Sequence, residues 1–285
     1  MSAEESDYSI YRRVVTQLMN GEEQLPSLPM ITLDIRRALA DPNVSVIRLK
    51  QLISKDPALS ALLMKHASSI LLRSSQPPKT LDDVIRMLGL QEVDRITLAH
   101  SLKSLFTLHS AAHKQLFVVL WGRLTRQAAT SAVLARPLGY PSADQALLAC
   151  LLCDVGELAV LSAFKDASQV PTPDVYARLC REYGQSLGLV VLKKWGLDQG
   201  YVDLVRSARN WDADSGARLG LVDLVNLGLY HAQREEPRGA QLPPIQQLAA
   251  YRKIVPPLDA LDSAGGLALV SEQKDAIQRM VSLLR

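Results

Sequence analysis

Thr80-Leu-Asp-Asp-Val-Ile-Arg-Met-Leu-Gly89 reads as one whole helix with both ends marked. Thr80 supplies an N-cap hydroxyl. Asp83, three residues on, makes an acidic variant of the reciprocal capping box. Leu88-Gly89 is a stop, because glycine accepts the left-handed backbone that ends a helix. The same grammar recurs on either side. Ser45 opens a helix that holds Ile47, Leu49, Leu52 and Ile53. Asp56-Pro57 is a cap followed by proline at the first helical position, and the helix after it carries Leu59, Leu62, Leu63 and His66. Ser142-Ala-Asp-Gln145 is another capping box, opening a helix that runs towards Cys153.

The apolar period is close to 3.6 almost everywhere, and no run alternates like a half-buried strand. Phe117 to Trp121 is the best strand candidate, but helical pattern flanks it and it reads as helix. The chain is therefore predicted to be all-α, with roughly a dozen helices. Loops are expected at Ser74–Pro78, Ala167–Pro173 and Gln233–Pro244, the last separating the main body from C-terminal helices at Leu258–Leu261 and Ile277–Leu284. Ile277, Met280, Val281 and Leu284 form an apolar face that is expected to complete the core; the other reading is a partner face.

Composition narrows the function classes. Of 285 residues 48% are apolar and 21% charged, enough core to exclude wholesale disorder. The longest uncharged stretch, Gly239 to Tyr251, is shorter than the ~18 apolar residues of a membrane span. Met-Ser-Ala-Glu-Glu-Ser-Asp at the start lacks the basic and apolar regions of a secretory signal. Cys150, Cys153 and Cys180 are too few for a disulfide framework, so the cytoplasm is the expected compartment. The net charge is only +3, and the basic pairs Arg12-Arg13, Arg36-Arg37 and Lys193-Lys194 sit apart among apolar residues. They read as solvated helix faces, so a nucleic-acid footprint is not expected.

No isolated motif carries chemistry. Cys150-Leu-Leu-Cys153 lies inside an apolar helix without a second Cys/His pair, so both cysteines read as core. His109 and His113 share helical i, i+4 spacing but lack a third ligand, and an exposed or capping role is expected. His66 reads as a core residue. His100 and His231 are unaccompanied. Gly-x-Ser-x-Gly and a phosphate-cradling glycine loop are both absent.

Taken in order, the fold motifs resemble one family. Leu25-Pro-Ser-Leu-Pro29, Ala40-Asp-Pro42, Val44-Ser45, Asp56-Pro-Ala-Leu59, Leu62-Leu63, Ser68-Ser69, Thr80-Leu-Asp-Asp-Val-Ile85 and Met87-Leu-Gly-Leu90 have the spacing of the bacterial HDOD family, the signalling relatives of HD-domain phosphohydrolases. The resemblance covers about Tyr8 to Ala232. It implies an HD-like orthogonal bundle: an N-terminal helix over 1–22, an N-terminal helical half over 23–110, a degenerate HD-like half over 111–232, and a loop with C-terminal helices packing on the body over 233–285.

The resemblance also locates the metal ligands of catalytic relatives, whose His and Asp side chains hold divalent cations that activate water on phosphate substrates. The first His position, two residues after a Trp, holds Arg123 here. The His-Asp dyad reads Cys153-Asp154. The next His position falls on Gly184. The closing His-His segment is Val205-Arg-Ser-Ala-Arg209-Asn210. Only Asp154 survives, and a lone carboxylate does not hold a catalytic cation. No catalytic residue, metal or cofactor is therefore expected. A carboxylate left in such a pocket needs compensation, and Arg123 or Arg209 is the natural ion-pair partner. The alternative is that both arginines face solvent and Asp154 caps a turn near Gly156.

With its ligands lost and its fold motifs kept, the chain resembles a non-catalytic signal-transduction module that binds a protein or a small ligand. The partners implied are signalling proteins in trans, of cyclic-dinucleotide, two-component or chemotaxis systems, without membrane insertion. The competing reading is a metal-dependent phosphohydrolase or phosphodiesterase with surrogate ligands among Asp154, Cys153, Asp203 and Asp212.

Overall fold

The computed structural model describes residues 3–20, 28–70, 78–104, 111–164, 170–213, 215–235 and 242–284. Within them the secondary structure is helical, and the sole β feature is an isolated bridge between Leu261 and Leu267. The chain divides into two units. One comprises residues 28–105 with the last four residues; the other comprises 1–27 and 106–281.

The unit of residues 28–105 holds α2 (Met30–Leu39), α3 (Val46–Ile53), α4 (Pro57–Ile70), α5 (Leu81–Leu88) and α6 (Leu90–Ser104); α1 (Ala3–Met19) belongs to the other unit. The sequence caps are present. Ser45 Oγ accepts from the Arg48 amide, Asp56 Oδ1 from the Leu59 amide, and Thr80 and Asp83 make both bonds of the capping box. Gly89 takes φ +78°, which ends α5 and lets α6 begin at the next residue. The core is Ile35, Leu49, Ile53, Leu63, Val84 and Val93 among others, with Leu81 and Leu88 packed on it. His66 is buried, as expected, and His100 pairs with Asp56 at 3.3 Å. Most of the Ser74–Pro78 loop lies outside the described residues.

The second unit is built around α7 (Ala111–Ala135), α8 (Ala143–Cys153), α9 (Val155–Ser162), α10 (Pro173–Lys194), α11 (Gln199–Ser207) and α12 (Leu221–Arg234). After them come a short 3-10 turn (Ile245–Gln247), α13 (Ala249–Arg252), α14 (Ala268–Glu272) and α15 (Lys274–Leu284). Phe117 to Trp121 lies within α7, as helix. Every residue of α8 from Ala146 to Cys153 is buried, which places this helix at the centre. Ala143–Ser162 passes the length and apolarity test for a membrane span, yet 83% of the apolar window is buried inside the protein. The break at Asp154 also divides it into helices of 11 and 8 residues, each too short to span. α1 packs on α10: Arg178 lies 3.7 Å from the centre of the Tyr8 ring, and Tyr8 donates to Glu182.

Several local expectations are corrected. Leu258–Leu261 is a turn followed by the bridge, not a helix. Its backbone is engaged elsewhere, since Ala260 O accepts from Ala268 N at 2.8 Å. Four residues cannot offset the cost of helix nucleation once their carbonyls have other partners. His113 is buried rather than exposed, and its Nε2 meets the Phe164 carbonyl beyond the end of α9. His109 lies outside the described residues. Pro173 is the first residue of α10 rather than loop, and α12 continues to Arg234 into the expected third loop. α15 is as expected: Ile277 and Val281 are buried against Ala129 of α7.

Candidate functional site

Four elements bring charge to one place beside α8. Arg123 and Gln127 sit one turn apart on α7, so they share a face. Asp154 is the break between α8 and α9, with φ −113° and ψ 17°. Glu157 lies in the first turn of α9, and its amide is bonded to the Asp154 carbonyl at 3.0 Å. Arg209 comes after α11 and, among the described residues, is the non-glycine residue with positive φ, +62°. That conformation is uncommon for a long side chain. It is held from α12, where buried Asn226 accepts from the Arg209 amide at 2.9 Å and donates to the Asn210 carbonyl at 3.1 Å.

The resulting contacts form two ion pairs. Arg209 donates Nη1 to Asp154 Oδ1 and Nη2 to Oδ2, each at 2.8 Å. Gln127 Nε2 donates to the same Oδ2 at 2.7 Å. Asp154 is 3% exposed, so this fork-to-fork pair is largely withdrawn from water on the acid side. Arg123 does not pair with Asp154; it donates to Glu157 instead. Of the two partners the sequence left open, Arg209 is the one.

The two carboxyls are pushed in opposite directions. Burial alone would raise Asp154, but the charges of Arg209 and Arg123, with the bonds from Arg209 and Gln127, hold it well below the usual carboxylate range. Glu157 is raised to about 7, by burial and then by the Asp154 charge, against the pull of Arg123. Cys153 is buried, its Sγ lies 3.3 Å from the Ala149 carbonyl, and burial raises its thiol well above the ordinary value.

Gly184 belongs to this site by proximity. A Cβ built on it would lie 3.6 Å from Glu157 Cγ. α10 crosses α9 so closely here that a Cβ on Gly156 would stand 1.7 Å from the Gly184 carbonyl oxygen. The two glycines let the helix backbones touch. The five residues singled out from the sequence, Arg123, Cys153, Asp154, Gly184 and Arg209, thus gather around the α8–α9 junction. Asp203 and Asp212 have other partners: Asp203 is bonded to Gln199 and Arg206, and Asp212 lies 3.7 Å from Arg252.

The family model for the HDOD domain matches residues 25–211. The chain belongs to the HDOD domain family. The matched range reaches through Arg209 and includes the whole site except Asn226. An uncharacterized protein of Treponema pallidum (strain Nichols) is 24% identical over 213 residues, 70% of this chain and 40% of its own length. The chain spans about two fifths of the length of that curated relative. Among solved structures, a candidate metal-dependent phosphohydrolase of Shewanella amazonensis SB2B superposes with TM-score 0.77 at 20% identity, covering 100% of both chains. A candidate signal transduction protein of Marinobacter aquaeolei VT8 gives TM-score 0.56 at 18% identity, over 98% of this chain and 66% of the other. At such identities the likeness is one of fold, and the HDOD bundle here has that HD-like architecture.

Three residues of the site went unread in the sequence. Gln127 is four residues from Arg123 on one helix, and Glu157 is three residues from Asp154, so both spacings were available as signals. Asn226 had none, because its role depends on α12 returning beside the Arg209 turn.

Proposed function

We propose that this HDOD protein is a non-catalytic regulatory module of bacterial signal transduction that works by binding a protein or a small ligand. Its HD-type metal site has been replaced by ion pairs. The observation that carries this reading is the bidentate Arg209–Asp154 pair. Both oxygens of the surviving ligand-type carboxylate are already engaged, one of them twice.

The donors nearby suit a divalent cation poorly. Arg123 brings a positive charge to a position where a ligand would be needed, and Gly184 brings no side chain. Metal-binding thiols must be deprotonated, and the burial of Cys153 opposes that. A hard cation also prefers oxygen donors to sulfur. The residues present therefore do not fit the metal of the catalytic relatives. On this reading the protein acts in the cytoplasm, which its free cysteines suit. Its partners are signalling proteins, supplied in trans or by chain beyond the sequence described.

One observation favours a second reading, residual metal-dependent phosphohydrolysis: the full-length superposition on the Shewanella protein. A single experiment separates the two. Untagged protein, purified without chelator, is assayed for bound metal and for hydrolysis of bis-p-nitrophenyl phosphate with added Mn²⁺. The proposal expects substoichiometric metal and no hydrolysis above buffer. One or two tightly bound ions per chain, or hydrolysis that tracks the protein through purification, would overturn it.

A further inference from the structure

A cleft of about 580 Å³ opens between α2 and α3, inside the unit of residues 28–105. Its volume falls in the ~300–1,000 Å³ range of small-ligand sites. The two walls differ in chemistry. On the α3 side stand Arg48, Gln51 and, in the turn after the helix, Lys55. On the α2 side stand Asp34, Arg37 and Asp41, with Arg37 paired to Asp34.

Each acid of the cleft has one oxygen engaged, whereas two of its cations have no side-chain partner among the described residues. Asp41 Oδ1 accepts the Asn43 amide at 2.9 Å, and Asp34 pairs with Arg37 at 3.3 Å. Ser45 Oγ is used on the Arg48 amide. The side chains of Arg48 and Lys55 have no hydrogen bond or ion pair among the described residues. They flank Gln51, so one wall offers two cations and an amide donor. The opposite wall offers carboxylate acceptors, and Leu52 and Val44 add apolar surface between the walls.

We propose that this cleft binds a phosphorylated small molecule of mononucleotide size, with phosphate against Arg48 and Lys55 and hydroxyl or amino groups against Asp34 and Asp41. Guanidinium and ammonium groups are the natural partners of phosphate oxygens. The second oxygens of Asp34 and Asp41 can accept further donors, which a nucleotide supplies from its hydroxyl and amino groups and hydrogen phosphate only from its single P–OH. The two carboxylates also disfavour a strongly acidic peptide, whose every side chain would repel them. The proposal gives a ligand class to the binding role above but rests on different residues, so either can fail while the other stands.

The test is isothermal titration calorimetry of the full chain with GMP, AMP, inorganic phosphate and hexaglutamate. At least one nucleotide is expected to bind with Kd below ~1 mM, more tightly than phosphate. Arg48→Ala and Lys55→Ala are each expected to weaken it about tenfold, a change of ~1.4 kcal/mol. Arg13→Ala on α1 serves as the control and should leave it unchanged. Arg48 and Lys55 are both exposed, so the variants should melt like the parent protein. Failure of both nucleotides to bind, binding that survives both substitutions, or equal binding of phosphate would overturn the proposal. Tighter binding of hexaglutamate would overturn it in favour of an acidic protein segment.

Discussion

Arg209 grips Asp154 with both terminal nitrogens at 2.8 Å, and it does so from a left-handed backbone conformation fixed by Asn226. A 3% exposed carboxylate with one cationic partner depends on that partner. Arg209→Ala leaves the charge buried, with only Gln127 and the more distant Arg123 to answer it. Breaking a buried pair from one side costs about 3–5 kcal/mol. We expect a loss in that range by urea denaturation, and partial recovery in Arg209→Ala/Asp154→Asn, which removes the stranded charge. Equal stability of the single and double variants would show that the stranded Asp154 charge does not carry the loss, and an Arg209→Ala variant as stable as the parent would show that the pair does not hold the junction.

The two carboxyls of the cluster predict opposite pH dependences. Asp154 is depressed in the folded state, so its contribution is present above the ordinary carboxylate pKa and is lost as pH falls below it. Glu157 is raised to about 7, so between its ordinary value of ~4.3 and 7 the folded protein holds a proton that the unfolded chain has released. Stability from this group therefore falls as pH rises through that window and levels off above it. Glu157→Gln should be flatter than the parent between pH 5 and 7 in denaturation midpoints. A parallel pair of curves would refute the assignment.

Gly156 and Gly184 face each other, yet the same substitution should cost stability only at the first. Alanine at 156 drives Cβ to 1.7 Å from the Gly184 carbonyl oxygen, a backbone atom that cannot swing away. We expect a cost of about 3 kcal/mol, the upper part of the overpacking range. Alanine at 184 meets Glu157 Cγ at 3.6 Å, an ordinary contact, within a long helix. Replacing a helix-interior glycine there should be neutral or gain up to ~1 kcal/mol. The paired melting curves test whether the α9–α10 crossing sits at the depth described.

The helices of this protein were readable because their ends are written locally. Ser45, Asp56, Thr80 and Ser142 each sit within three residues of the amide they cap, so a linear reading finds them. Leu258–Leu261 misled the reading because it carries helical spacing without a cap, and its partners lie six to eight residues onward. Within the site, the sequence narrowed the partner of Asp154 to two arginines but could not choose. The choice is made by Asn226, 17 residues beyond Arg209, and by Glu157 drawing Arg123 away. Such a selection exists only after α7, α9 and α12 have come together.

A second buried acid escaped the sequence altogether and gives the last prediction. Asp223, 1% exposed in the first turn of α12, accepts the Gly220 amide at 2.7 Å and the Lys253 ammonium at 3.1 Å on both oxygens. Ser215 donates to it as well. One side chain therefore caps α12 and anchors the end of α13, 30 residues away. Asp223→Ala removes both functions and takes the Asp223 charge away from Lys253, which is 11% exposed. The expected cost is about 3 kcal/mol, the lower end for a broken buried pair, because the lysine can rehydrate in part. Asp223→Asn keeps an oxygen for the Gly220 amide and loses only the charge. It should fall between parent and Ala, since hydrogen bonds to charged groups contribute ~1.5–3 kcal/mol. If Asn and Ala unfold at the same urea concentration, capping contributes nothing and the Lys253 pair carries the whole effect.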